Sequence, residues 1–258
     1  MDYGAEDAAL TSCDWVYWMG CAASYDPRVA VIARATAKVL GAAGLRLHFL
    51  GAEEACTGDA ARRLGEEGLF QQLALQNIET LRRHGAQRIV THCAHCFHVL
   101  KNEYPRFGAE FEVMHHVELI ANLLEQGRIR LRRDGSVPAT LHDSCYVGRY
   151  NRIFDAPRAV LRAVYGDDFV EMPRHGESSF CCGAGGANYW YDVTKEIPAG
   201  ALRVKEAVGT GARVIAAECP FCVKMLEQGA QTAAPDSGLQ IKDIAEIVAE
   251  ALDDGNAR

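Results

Sequence analysis

Cysteine groups recur along this chain at an almost fixed distance. Cys145 follows Cys21 by 124 residues, while Cys182, Cys219 and Cys222 follow Cys56, Cys93 and Cys96 by 126. A period of this length is not that of a solenoid; it marks a duplicated domain. Whatever fold the first half adopts, the second must repeat, with a cysteine group at each equivalent place.

Within each half, apolar runs alternate with amphipathic stretches. Strands are expected over 14–20, 45–50, 87–91 and 111–114, with helices over 29–43, 59–84 (as one or two), 97–103 and 117–125. The second half repeats this with strands over 168–172, 213–217, 239–241 and Ala139 to His142. Its helices are expected over 156–165, over 193–208 with Pro198 interrupting, from Val223 onward, and over 244–252. The strand runs are rich in aromatic and β-branched residues, and Pro27 and Pro157 suit early helical positions. This alternation predicts an α/β chain of two pseudo-repeated Rossmann-like domains with mainly parallel sheets. Each cysteine group follows an expected strand, at the carboxyl ends where ligands of such sheets gather. The expected domains are 14–127 and 137–254, divided by a basic stretch, 127–136, that carries Arg128, Arg130, Arg132 and Arg133. Residues 1–13 read as a loose polar lead-in.

A net charge of −7 argues against nucleic acid as the main partner. No apolar run approaches the roughly 18 residues that span a bilayer, and the first residues lack a secretory pattern. The expected location is the cytoplasm. Ten cysteines in such a chain point to metal or redox chemistry before disulfides. The adjacent pair Cys181-Cys182 resists bridging to itself, because disulfide geometry is tightly defined. With Cys145, Cys219 and Cys222 it makes a set of soft thiolates suited to iron–sulfur or zinc. Zinc takes four ligands and leaves one idle, whereas a multi-iron cluster has use for a fifth. Cys181 and Cys182 therefore read as the centre of an iron–sulfur redox site.

The order Cys145, Cys181-Cys182-Gly183, Cys219-Pro220-Phe221-Cys222 resembles the cysteine-rich CCG domain. That family includes the B subunit of heterodisulfide reductase and the iron–sulfur subunits of glycolate and lactate oxidation systems. The resemblance implies a non-cubane [4Fe-4S] cluster on Cys145, Cys181, Cys182, Cys219 and Cys222. It also implies electron transfer, and disulfide or thiol redox chemistry if the cluster itself is catalytic. The chain would then be an oxidoreductase component whose partners are a ferredoxin-like iron–sulfur protein and a flavoprotein, any membrane association coming through them. The first half departs from the family pattern with Ala55-Cys56-Thr57-Gly58, which leaves Cys21, Cys56, Cys93 and Cys96. Four thiolates hold a [4Fe-4S] cubane, a [2Fe-2S] cluster or zinc, and an iron–sulfur relay is preferred. The alternative is a zinc-stabilised interaction module without redox function.

Of the histidines near the first site (His92, His95, His98, His115, His116), His95 is the one expected to touch it. His142 reads either as a strand-end core residue or as a proton donor beside the second site. The glycines from Gly183 to Gly186 read as close backbone packing around the cluster, not as a dinucleotide loop. Arg28, Arg149, Arg152 and Arg158 read as solvated helix charges, or as positive charge that offsets thiolate-ligated clusters or binds an anionic substrate. Cys13 has no expected role.

Overall fold

Trp15–Trp18 (β1) is buried along its whole length, and it lies inside a sheet with neighbours on both sides. In this computed structural model, which describes residues 13–133, 137–191 and 198–253, it pairs with Leu47–His48 (β2) and Arg88–Thr91 (β3). Glu112–His115 (β4) completes a parallel sheet of order β2-β1-β3-β4. The second half repeats it with Ala139–His142 (β5), Val214–Ala217 (β6) and Gln240–Asp243 (β7), parallel in the order β5-β6-β7. The strand expected over 168–172 is reduced to one parallel bridge, Ala139 with Phe169. Glu171 is drawn instead onto Arg158, and Pro173 has no N–H to extend a ladder. The expected lead-in over 1–12, the end of the basic stretch at 134–136, residues 193–197 of one expected helix and residue 254 lie outside the described residues.

Three helices start on caps that their sequences provide. Pro27–Ala42 (α2) follows the short Cys21–Tyr25 (α1), and the Asp26 side chain accepts from the Arg28 N–H at 2.8 Å. The stretch 59–84 divides into Asp59–Arg63 (α3) and Glu67–Arg83 (α4) at Gly65, whose φ is +87°. Ala94–His98 (α5) begins earlier than expected and runs on into a π-helical turn, Val99–Glu103. His116–Glu125 (α6) closes the first half. Gly148–Asn151 (α7), Asp155–Tyr165 (α8) and Ala199–Val208 (α9) follow, with Pro198 as N-cap of α9. Pro220–Ala233 (α10) opens on its proline, earlier than Val223. Ile244–Ala251 (α11) opens on a capping box of Asp243 and Glu246. Among the described residues no helix is long and apolar enough to cross a membrane.

The halves pack reciprocally. Helix α2 lies on α11, and its second-half counterpart α8 lies on α6. One continuous apolar core runs through both halves. Polar ties cross the same interface: Arg28 pairs with Glu227 and Glu246, and buried His116 meets buried Asp243 at 2.9 Å. The two sheets are thereby held with their cysteine-bearing ends on a common crevice.

Candidate metal centre

Each half delivers its cysteines from the same four places. In the second, Cys145 follows β5, Cys181 and Cys182 lie in the long loop before α9, and Cys219 caps α10 with Cys222 one turn inside. Cys182 and Cys222 have their sulfurs 3.2 Å apart, and the Gly183 N–H points at the Cys181 sulfur from 3.3 Å. Gly183 sits at φ +98°, and a Cβ there would lie 3.1 Å from Ala199. Only glycine accepts that backbone at that distance. Hydrogen bonds from Cys145 and Cys182, with the Gly183 N–H, pull the Cys181 thiol down to about 2, while Cys145 is raised correspondingly.

In the first half, Cys21 opens α1, Cys56 lies in the loop before α3, and Cys93 caps α5 with Cys96 inside it. The Cys21 and Cys56 sulfurs are 3.7 Å apart, and the Gly58 N–H points at Cys56 from 3.4 Å. The thiol of Cys21 lowers Cys56 to about 6 and is itself raised. Thr57, buried to 2% exposure, places its hydroxyl 3.8 Å from the Cys96 sulfur.

These contacts shift the register between the halves by one residue. By sequence distance Cys56 matches Cys182 and the missing cysteine falls at Ala55. By structure Cys56 matches Cys181, since each takes a thiol from the cysteine after the first strand and an N–H from the glycine two residues on. Thr57 therefore matches Cys182, each touching the second cysteine of its Cys-x-x-Cys. The offset grows smoothly, 124 at Cys21, 125 at Cys56 and 126 at Cys93, because one residue is added in each intervening segment.

The halves meet at their Cys-x-x-Cys turns. The middle residues His95 and Phe221 meet edge-on at 4.9 Å, and beside them Cys219 raises the Cys93 thiol while Cys93 helps to lower Cys219. Both pairs join equivalent positions, so the pseudo-twofold axis passes between them. The cysteine sets of the two halves thus lie side by side.

A cysteine-rich domain family matches the chain twice, over residues 15–101 and 139–227. The chain belongs to that family. Within it, a probable iron-sulfur-binding oxidoreductase FadF of Bacillus subtilis is 38% identical over 93% of this chain. An EtfAB:quinone oxidoreductase of Syntrophomonas wolfei is 35% identical over 93%. One component of a dihydromethanophenazine:CoB--CoM heterodisulfide reductase from Methanosarcina mazei is 39% identical over 97%. This chain spans 34% of the length of each of the first two and 61% of the third.

In this cysteine-rich domain pair, the other singled-out residues fall into distinct roles. His95 bridges the halves, its ring 2.6 Å from Asp59 and edge-on to Phe221 of the second half at 4.9 Å, with the Cys219 sulfur nearby. Burial opposes its charge, but those two partners raise it to about 10. His98 stacks flat on Tyr146 at 4.6 Å. His92, His115 and His116 are fully buried among one another, and burial lowers His92 and His115. His142 lies with a ring nitrogen within 4.8 Å of the Cys182 and Cys222 sulfurs. Its Nδ1 accepts from Arg203, and its Nε2 has no partner among the described residues.

The arginines separate similarly. Arg28 and Arg158 are in ion pairs, the latter with buried Asp143 and with Glu171, and Arg152 pairs with Glu177 on the surface. Only Arg149 stands at the sulfurs: it lines a cavity of about 500 Å³ with Cys145, Cys181, Tyr146, Tyr150 and Gly185. Sequence reading missed Thr57, Asp59, Glu54 and Arg203. Glu54 accepts the Met19 and Gly20 N–H groups at 3.0 and 2.6 Å and so fixes the turn before Cys21. Burial raises it to about 7 against those bonds. The Cys-Thr-Gly-Asp run, set beside Cys-Cys-Gly-Ala, held a signal for Thr57 and Asp59. No spacing pointed to Glu54 or Arg203.

Proposed function

We propose that this chain is the cluster-bearing unit of a multisubunit iron–sulfur oxidoreductase, with a non-cubane [4Fe-4S] cluster in the 137–254 half and a plainer iron–sulfur cluster in the 14–127 half. The observation that carries this reading is the convergence of thiols within each half, Cys182 on Cys222 at 3.2 Å and Cys21 on Cys56 at 3.7 Å. The donor chemistry fits: all these cysteines are free thiols, and backbone N–H groups of Gly58 and Gly183 already point at sulfur. Such thiolate sets favour iron–sulfur ligation over hard cations.

When bound, the clusters supply reversible electron transfer. Cys145, Cys181, Cys182, Cys219 and Cys222 hold the one, and Cys21, Cys56, Cys93 and Cys96 the other. The Gly58 and Gly183 amides and the His95 ring donate to sulfur and offset its negative charge. Apolar burial of Cys93, Cys182, Cys219 and Cys222 keeps water from them. Arg149, Tyr146 and Tyr150 line the cavity that reaches Cys145 and Cys181. The partners in this proposal are those that the domain resemblance implies, a ferredoxin-like iron–sulfur protein and a flavoprotein.

Iron, zinc and acid-labile sulfide measured on anaerobically purified protein test the proposal. Iron and sulfide in comparable amounts are expected, with the second-half paramagnetic signal abolished in Cys181→Ala. Zinc without iron would sink it in favour of a zinc-stabilised interaction module.

A further inference from the structure

The two cysteine turns differ at one ligand-facing side chain, and that side chain has its own contacts. We propose that Thr57 decides which cluster the first half accepts, presenting a hydroxyl where the second half presents the thiol of Cys182. The inference rests on the iron–sulfur reading above and says what makes its two sites unlike.

The backbone around the two positions is the same. Gly58 and Gly183 follow them with φ of +85° and +98°, and each sends its N–H to the preceding cysteine. Thr57 and Cys182 are equally buried, at 2% exposure. Each reaches the inner cysteine of its own Cys-x-x-Cys, Cys96 from 3.8 Å and Cys222 from 3.2 Å. The side chains differ in chemistry at a shared place. A hydroxyl stays protonated where a thiol ionises on a metal, so Thr57 removes one negative charge and one soft donor. It keeps an O–H that donates to the Cys96 sulfur, as amides do in other cluster sites.

The Thr57 turn is pinned independently of any bound group. Its carbonyl accepts from the Tyr104 hydroxyl at 3.2 Å, the Cys56 carbonyl accepts from Asn77 at 3.0 Å, and Asn77 accepts the Ala55 N–H at 3.3 Å. Tyr104 and Asn77 are both fully buried. A cysteine introduced at 57 therefore starts from a fixed Cβ and brings its sulfur towards Cys96.

The test is a reciprocal exchange in the full chain, read by iron and sulfide content and by paramagnetic resonance. In Thr57→Cys the four-cysteine signal is expected to vanish and the five-cysteine signal to double in intensity per chain. In Cys182→Thr the five-cysteine signal is expected to give way to one resembling the first half. Thr57→Val, which keeps the shape and drops the hydroxyl, is expected to retain the four-cysteine signal with its midpoint potential displaced. A Thr57→Cys protein with full iron and an unchanged first-half spectrum overturns the proposal. So does loss of first-half iron in Thr57→Cys while Thr57→Val retains it. Wild-type protein carrying zinc and no iron fails the functional reading itself, an outcome visible before any variant is made.

Discussion

His95 and Phe221 meet edge-on at 4.9 Å across the pseudo-twofold axis, each between the cysteines of a Cys-x-x-Cys in a different half, and beside them Cys219 raises the Cys93 thiol while Cys93 helps to lower Cys219. Two sets of thiols that began as copies thus share one boundary.

This contact predicts asymmetric consequences of removing single sulfurs. Cys219→Ser is expected to abolish the second-half signal and also to perturb the first-half spectrum, because Cys93 loses its neighbour. Cys145→Ser, whose thiol is raised by Cys181 of its own half, is expected to alter the second signal alone. Paramagnetic resonance at matched iron content distinguishes the two. Identical first-half spectra in both variants would argue against the shared boundary.

Glu103 anchors the ion network beneath the first site, with Arg62 at 2.9 Å and Arg63 and His98 alongside. Burial would raise its carboxyl, but the hydrogen bonds from His98 and Arg63 and both arginine charges hold it at about 2. A depressed acid stabilises the fold fully above its ordinary range and loses that contribution as pH falls. Glu103→Gln is expected to cost about 2–3 kcal/mol near neutrality. The difference from wild type in urea denaturation should shrink as pH falls from roughly 4, the ordinary glutamate value, towards 2.

Asp243 is buried at the interface of the halves, where it caps α11 through the Ala245 N–H at 2.8 Å and meets His116 at 2.9 Å. Asp243→Ala removes the cap and leaves a buried imidazole without its partner. Those losses together are about 2–4 kcal/mol. The denaturation midpoint should fall accordingly, whereas Lys242→Ala, on the neighbouring exposed pair with Glu250, should change little.

Gly229 in α10 lets α9 approach so closely that a Cβ would lie 2.5 Å from the Gly200 carbonyl carbon. Alanine favours a helix by about 1 kcal/mol, yet overpacking against backbone costs about 1–3 kcal/mol or more. Gly229→Ala is expected to lower thermal stability and to displace Ala199 from its seat against Gly183. Circular dichroism melting and iron content are the checks, and an unchanged iron content would separate helix packing from the Cys181–Cys182 loop.

Sequence by itself determined the duplication, the α/β alternation with parallel strands, and the set of cysteines that converge, because periodicity and thiol chemistry are local properties written into residue order. It missed the loss of the strand over 168–172, since Glu171 is claimed by Arg158, a partner contributed by a helix packed alongside. It assigned the arginines to solvent or to the clusters, whereas Arg28 and Arg158 found carboxylates that folding alone brought near. Only the tertiary structure decided that Thr57 stands for Cys182 and that the two sites adjoin. Both facts depend on where side chains from distant segments end up in space, and counting residues along the chain cannot reveal an offset that drifts by one at each insertion.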